Sequence, residues 1–212
     1  MKISKITQSL LLISIVAVVF NLARGDFWSK TSLLYLIWNL FLAWIPYIIS
    51  SGWVKKDMSV RHFWPFFIFW LLFFPNAPYL ITDVLHLASR FSSSLWYDSL
   101  LFFFFGWIGL FLGMLSLFHI HQYLKTRFNF WISEIIIFSI CCISSFGVYL
   151  GRFERWNSWD IFISPLHLMK HSFYLSASLV HTGTPLVFIG VFTIFMYLVY
   201  KTVYVLITHK VE

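Results

Sequence analysis

The chain has 212 residues, of which 60% are hydrophobic, 22% aromatic and only 11% charged, with a net charge of +7. A mean hydropathy of +0.82 excludes an ordinary soluble domain, because one core cannot bury that much apolar surface. The basic residues stand singly at the ends of apolar runs, so the charge argues for membrane anchoring and against nucleic acid as a partner.

Crossing the roughly 30 Å hydrocarbon layer takes about 20 apolar residues per helix. The runs predict an all-α integral membrane protein with six transmembrane helices, forming one polytopic domain over residues 1–212. Lys2 and Lys5 precede the first run, Leu10 to Phe20. The following Asn21-Leu22-Ala23-Arg24 lacks small residues at both usual cleavage positions, which favours a retained span over a signal peptide. The second run, Ser32 to Ser50, contains Pro46, an expected kink.

The third run starts at Phe63 and is interrupted by Pro75-Asn76-Ala77-Pro78. Two prolines three residues apart remove two backbone donors, so Phe63 to Leu87 is expected to be one broken span. Past the break, Asp83 and His86 share a face at i and i+3. A Ser-rich loop with Arg90, Trp96, Tyr97 and Asp98 leads to the fourth run, Leu100 to Phe118. Gly109 and Gly113, with Gly106 one turn earlier, form a G-x-x-x-G face suited to close helix packing and, in one reading, to assembly with another helix.

His119, His121, Lys125 and Arg127 are expected in the next loop, followed by a fifth span from Trp131 to Leu150. Glu134, near its start, is expected to pair with Lys125 or Arg127. Cys141 and Cys142 are adjacent inside this run, which suits neither an ordinary disulfide nor a metal cage. Beyond Gly151 to Asp160, Ser164-Pro165 reads as an N-cap and first helical residue. Leu166, Met169 and Phe173 then recur opposite His167, Lys170 and His171, the pattern of an amphipathic surface helix preceding the last span, Leu186 to Thr208.

With the N-terminus inside, one side holds the nine residues Lys2, Lys5, Lys55, Lys56, Arg61, Lys125, Arg127, Lys201 and Lys210, and the other holds the six residues Arg24, Lys30, Arg90, Arg152, Arg155 and Lys170. The richer side is expected to be cytoplasmic, placing both termini there in a cell membrane. That topology gathers Asn76, Asp83, His86, Asp98 and Gly151 to Asp160 on the opposite face. Ionisable groups at membrane depth are costly and mark sites or pathways. The competing reading is an aromatic belt of Trp96, Trp156 and Trp159 with solvated loop charges.

Phe74 to Asp83 with His86, Trp96-Tyr97-Asp98 and Gly151 to Asp160 resemble the signature blocks of a bacterial multi-pass membrane family catalogued only as a domain of unknown function. The resemblance covers nearly the whole chain and implies no activity. In that family the position of Glu154 is usually leucine, which leaves Arg152, Arg155, Asn157 and Asp160 as the stronger candidates.

Asp83, His86 and Asp160 are the acid/base candidates. Asn76, Asp98, Arg152, Arg155, Trp156, Asn157 and Trp159 are the binding candidates, since a guanidinium fork grips phosphate or carboxylate through two parallel hydrogen bonds. Asp83, His86, His167 and His171 offer ligands of the right kind for a divalent ion, but without a metal fingerprint no metal or other cofactor is assigned. The expected function is binding or processing of an anionic lipid headgroup or lipid-linked substrate, with membrane lipid as partner. A small-solute transporter and a noncatalytic subunit are the alternatives, so whether the chain is an enzyme stays open.

Overall fold

A computed structural model describes residues 4–24, 33–54, 58–89, 95–156 and 184–208. The surface helix from Ser164, with His167 and His171, lies outside the described residues, as do Asn157, Trp159 and Asp160. Among the described residues the secondary structure is helical throughout, and six helical segments are long and apolar enough to cross a membrane. They are α1 (Lys5–Ala23), α2 (Leu34–Gly52), a composite third segment, α5 (Leu95–Leu124), α6 (Phe130–Phe153) and α7 (Thr184–Thr208). The composite segment consists of α3 (Val60–Phe73), α4 (Asn76–Thr82) and a 3-10 turn (Asp83–Ser89). This is the multi-pass, broken-helix architecture that the apolar runs predict.

The spans overrun the expected bounds. Trp96, Tyr97 and Asp98, expected in a loop, occupy the first turns of α5, and His119 and His121, expected in the next loop, occupy its last turns. Apolar content alone misplaced these ends, because a helix continues past the hydrocarbon wherever its polar side chains find partners. Large apolar side chains such as Leu12, Ile15, Phe103, Ile135 and Val191 are exposed along the spans, as lipid contact requires.

The chain forms two compact units, Met1–Ile120 and His121–Glu212. In the first, the G-x-x-x-G face packs inside the chain. A Cβ on Gly109 would lie 2.5 Å from the Ala77 carbonyl oxygen, and one on Gly106 would lie 3.1 Å from the Ile81 Cα. Gly113 meets the Ala77 Cβ and the Pro78 ring. The glycines thus let the α4 backbone approach α5 closely. Nearby, the buried Trp70 indole donates to Ser116 Oγ, which donates to the Pro46 carbonyl at 3.0 Å, linking α3, α5 and α2. In the second unit α6 packs along α7, with Phe153 edge-on to Phe188 at 5.2 Å near one end.

Candidate functional site

Proline chemistry explains the break in the third segment. Pro78 has no N–H to give the Phe74 carbonyl, which instead accepts from Ala77 N at 3.1 Å. That leaves the Phe73 carbonyl without its regular partner, and the Asn76 side-chain amide fills the place at 2.9 Å. One donor of this candidate binding residue therefore serves its own backbone. The helix resumes and tightens at Asp83, where a three-residue repeat puts Asp83 and His86 one above the other. Two α2 residues one turn apart meet them. Asn39 Nδ2 donates to Asp83 Oδ2 at 3.2 Å, and Tyr35 stands edge-on to His86 with ring centroids 5.6 Å apart. Asp83 is buried, 1% exposed, whereas His86 is exposed.

Asp98, the next candidate, is held by Arg24. The guanidinium Nε lies 2.6 Å from one carboxylate oxygen and an Nη 3.1 Å from the other. The two side chains are 6% and 0% exposed, so this is a fork-on-carboxylate pair out of water. Tyr97 reinforces the junction by donating to the Phe20 carbonyl at 2.7 Å. Arg24 was not singled out from sequence. The available signal was that an arginine closing one span and an acid opening another fall on the same predicted side.

The third candidate region is the end of α6. Glu154 N–H and Trp156 N–H both reach the Leu150 carbonyl, at 3.1 and 3.2 Å, and Arg155 between them has φ 59°. The helix thus closes on one carbonyl, with arginine in the left-handed position after the cap that glycine ordinarily fills. Arg155 is the non-glycine residue with positive φ among the described residues. Its side chain is exposed, while those of Arg152 and Trp156 are half-buried.

A fourth polar cluster, at the other end of α6, was not predicted as a site. Glu134 and Arg152 are 18 residues apart on one helix, about 27 Å along its axis. Glu134 accepts from Lys201 Nζ and from the Tyr197 hydroxyl, each at 2.9 Å. The expected pairing with Lys125 or Arg127 is thus replaced by one across to α7, whose antiparallel packing against α6 brings Lys201 level with Glu134. His121, fully buried, bonds through Nδ1 to the Tyr200 hydroxyl, and its Nε2 lies 3.9 Å from Glu134 Oε1 without a hydrogen-bond partner. Lys125 bonds the Tyr204 hydroxyl. Lys201 lies seven residues before the end of α7, about 10 Å inside the helix. Charge therefore enters this span.

Among the described residues, no three of His, Cys, Asp and Glu lie together in a way that would hold a metal ion. A family model described as "Protein of unknown function (DUF1361)" matches residues 38–199. The chain belongs to the DUF1361 family. The DUF1361 match contains Asp83, Asp98, Glu134 and the α6 end, while Arg24, Tyr200, Lys201 and Tyr204 fall outside it. No curated protein and no solved structure matches the chain.

Proposed function

We propose that this multi-pass membrane protein binds an anionic lipid headgroup, or a lipid-linked substrate bearing the same anionic group, at the Arg152 and Arg155 end of α6. On the predicted topology this is the extracytoplasmic face. The observation that carries the reading is the left-handed Arg155. An L-residue there costs about 1–2 kcal/mol that glycine would not, and strain of this kind is retained where a side chain has work to do. An exposed guanidinium three residues beyond a half-buried one, beside Trp156, offers two cationic forks at one helix end to a phosphate at headgroup depth.

The test separates binding from capping. Native mass spectrometry of the detergent-solubilised protein would count bound phosphatidylglycerol against phosphatidylcholine. Arg155→Gly is expected to raise thermal stability slightly, by relieving the strain, while lowering phosphatidylglycerol retention about fivefold, as removing one headgroup cation does. Arg152→Ala is expected to lower retention by a similar factor. Unchanged retention in both variants would sink the proposal and leave the two arginines as complements to the helix C-terminus.

A transporter is the second reading, favoured by the Glu134 and Lys201 charges inside spans. Solute flux in proteoliposomes that disappears in Glu134→Gln supports it, and flux that Glu134→Gln leaves unaltered removes it.

A further inference from the structure

We infer that the end of α5, the start of α6 and the last turns of α7 form a second anion site that takes the phosphate of a membrane lipid headgroup between Lys125 and Lys201. The two ammonium groups converge on one ring, lying 5.0 and 5.4 Å from the centroid of Tyr204. The ring's negative face attracts both cations, but bringing like charges together at partial depth is unfavourable without an anion to share. Glu134 engages Lys201 directly. Among the described residues Lys125 engages only uncharged groups, the hydroxyl and ring of Tyr204. Two ammoniums and one carboxylate leave one positive charge, which a phosphodiester would neutralise.

The site is reachable and has a reserve partner built in. Lys125 is exposed, and the Lys201 side chain keeps 32% of its surface open. His121 is fully buried with Nε2 directed at Glu134 from 3.9 Å and without a hydrogen-bond partner among the described residues. In the tautomer in which the Tyr200 hydroxyl donates to Nδ1, the imidazole proton resides on Nε2. A phosphate that accepts from Lys125 and the Tyr204 hydroxyl also draws Lys201 away from Glu134. The freed carboxylate oxygen then accepts from His121 Nε2–H over a short closing movement. Partners are exchanged and no polar group is left without one, which matters most in a low-dielectric surrounding.

Position favours a lipid over free phosphate. Lys125 directly follows the last residue of α5, and Lys201 lies about 10 Å inside α7 with a stem long enough to bring its ammonium out to the interface. The predicted topology makes this the cytoplasmic leaflet, where anionic lipids attract juxtamembrane lysines. The site does not depend on the Arg152 and Arg155 reading, so its test uses the full chain carrying Arg152→Ala and Arg155→Gly, in which any remaining headgroup selectivity comes from elsewhere.

In that background, native mass spectrometry is expected to show phosphatidylglycerol retained over phosphatidylcholine. Adding Lys125→Met should lower phosphatidylglycerol retention about fivefold. The pair Lys201→Met with Glu134→Gln, which removes both charges together and so leaves no buried charge unmatched, should do the same. His121→Phe touches no phosphate in this scheme yet should also weaken retention, because the Glu134 Oε1 that Lys201 vacates then has no replacement donor. Phosphatidylglycerol retention that survives both Lys125→Met and the Lys201→Met, Glu134→Gln pair would overturn the inference. Displacement of the lipid from this site by millimolar inorganic phosphate would overturn the assignment to a lipid and identify free phosphate as the ligand.

Discussion

The two units treat buried polarity differently. In Met1–Ile120 charged and amide groups are matched locally, with Arg24 on Asp98, Asn39 on Asp83 and Asn76 on the Phe73 carbonyl. In His121–Glu212 one carboxylate serves Lys201 and Tyr197, while His121 Nε2 and the hydroxyls of Ser133, Ser144 and Thr193 are buried without hydrogen-bond partners among the described residues. Matched groups lock helices in one arrangement, whereas a cluster with spare donors can accept a further ligand or exchange partners. The first unit thus reads as scaffold and the second as the more adaptable part.

The sharpest way to break this contrast is at Arg24. Arg24→Met should cost about 3–5 kcal/mol of stability, because it removes the guanidinium fork from the buried Asp98 carboxylate. The double change Arg24→Met with Asp98→Leu should recover most of that loss in detergent-solubilised thermal unfolding. A double variant no more stable than the single would mean the pair does more than lock the α1 and α5 ends.

Two glycines extend the contrast to helix packing. Gly109→Ala should cost about 1–3 kcal/mol, since the new methyl meets the Ala77 carbonyl oxygen, a backbone atom that cannot turn aside. Gly190 on α7 has nothing within 4 Å of an added Cβ. Gly190→Ala should therefore be neutral or stabilising by up to about 1 kcal/mol. Equal losses at the two positions would erase the distinction between a tightly seated α4 and an open α7 face.

The smallest of the three effects is expected at Glu134. Glu134→Gln should cost only about 1 kcal/mol, because the amide still accepts from Tyr197 and the partly open Lys201 side chain retains contact with water. A loss as large as that of Arg24→Met would place Glu134 among the locked pairs and undo the contrast.

How much of the site was legible depended on how far apart the partners lie along the chain. Pro75 and Pro78 announce the break because a missing N–H is a property of the residue itself, and Asp83 with His86 follows from local repeat geometry. Arg24 with Asp98, 74 residues apart, and Glu134 with Lys201, 67 apart, carry no local mark. Their expected roles, a binding residue on a loop for Asp98 and a pairing with the adjacent loop for Glu134, followed from the nearest neighbours in sequence. His121 was misplaced for a related reason, since a histidine just past an apolar run looks like a loop residue until Tyr200 and Glu134 are brought against it.

The sequence by itself determined the six spans, the interruption in the third and the small-residue face of α5, because apolar length, proline and glycine act through the residue and its own helix. Only the tertiary structure decided which side chains meet: that the glycine face receives α4, that Asp98 belongs to Arg24, and that Lys201 turns to Glu134. Those choices are made by helices packing side by side, and a hydrogen bond or ion pair between them depends on a few ångströms of register that no one-dimensional pattern contains.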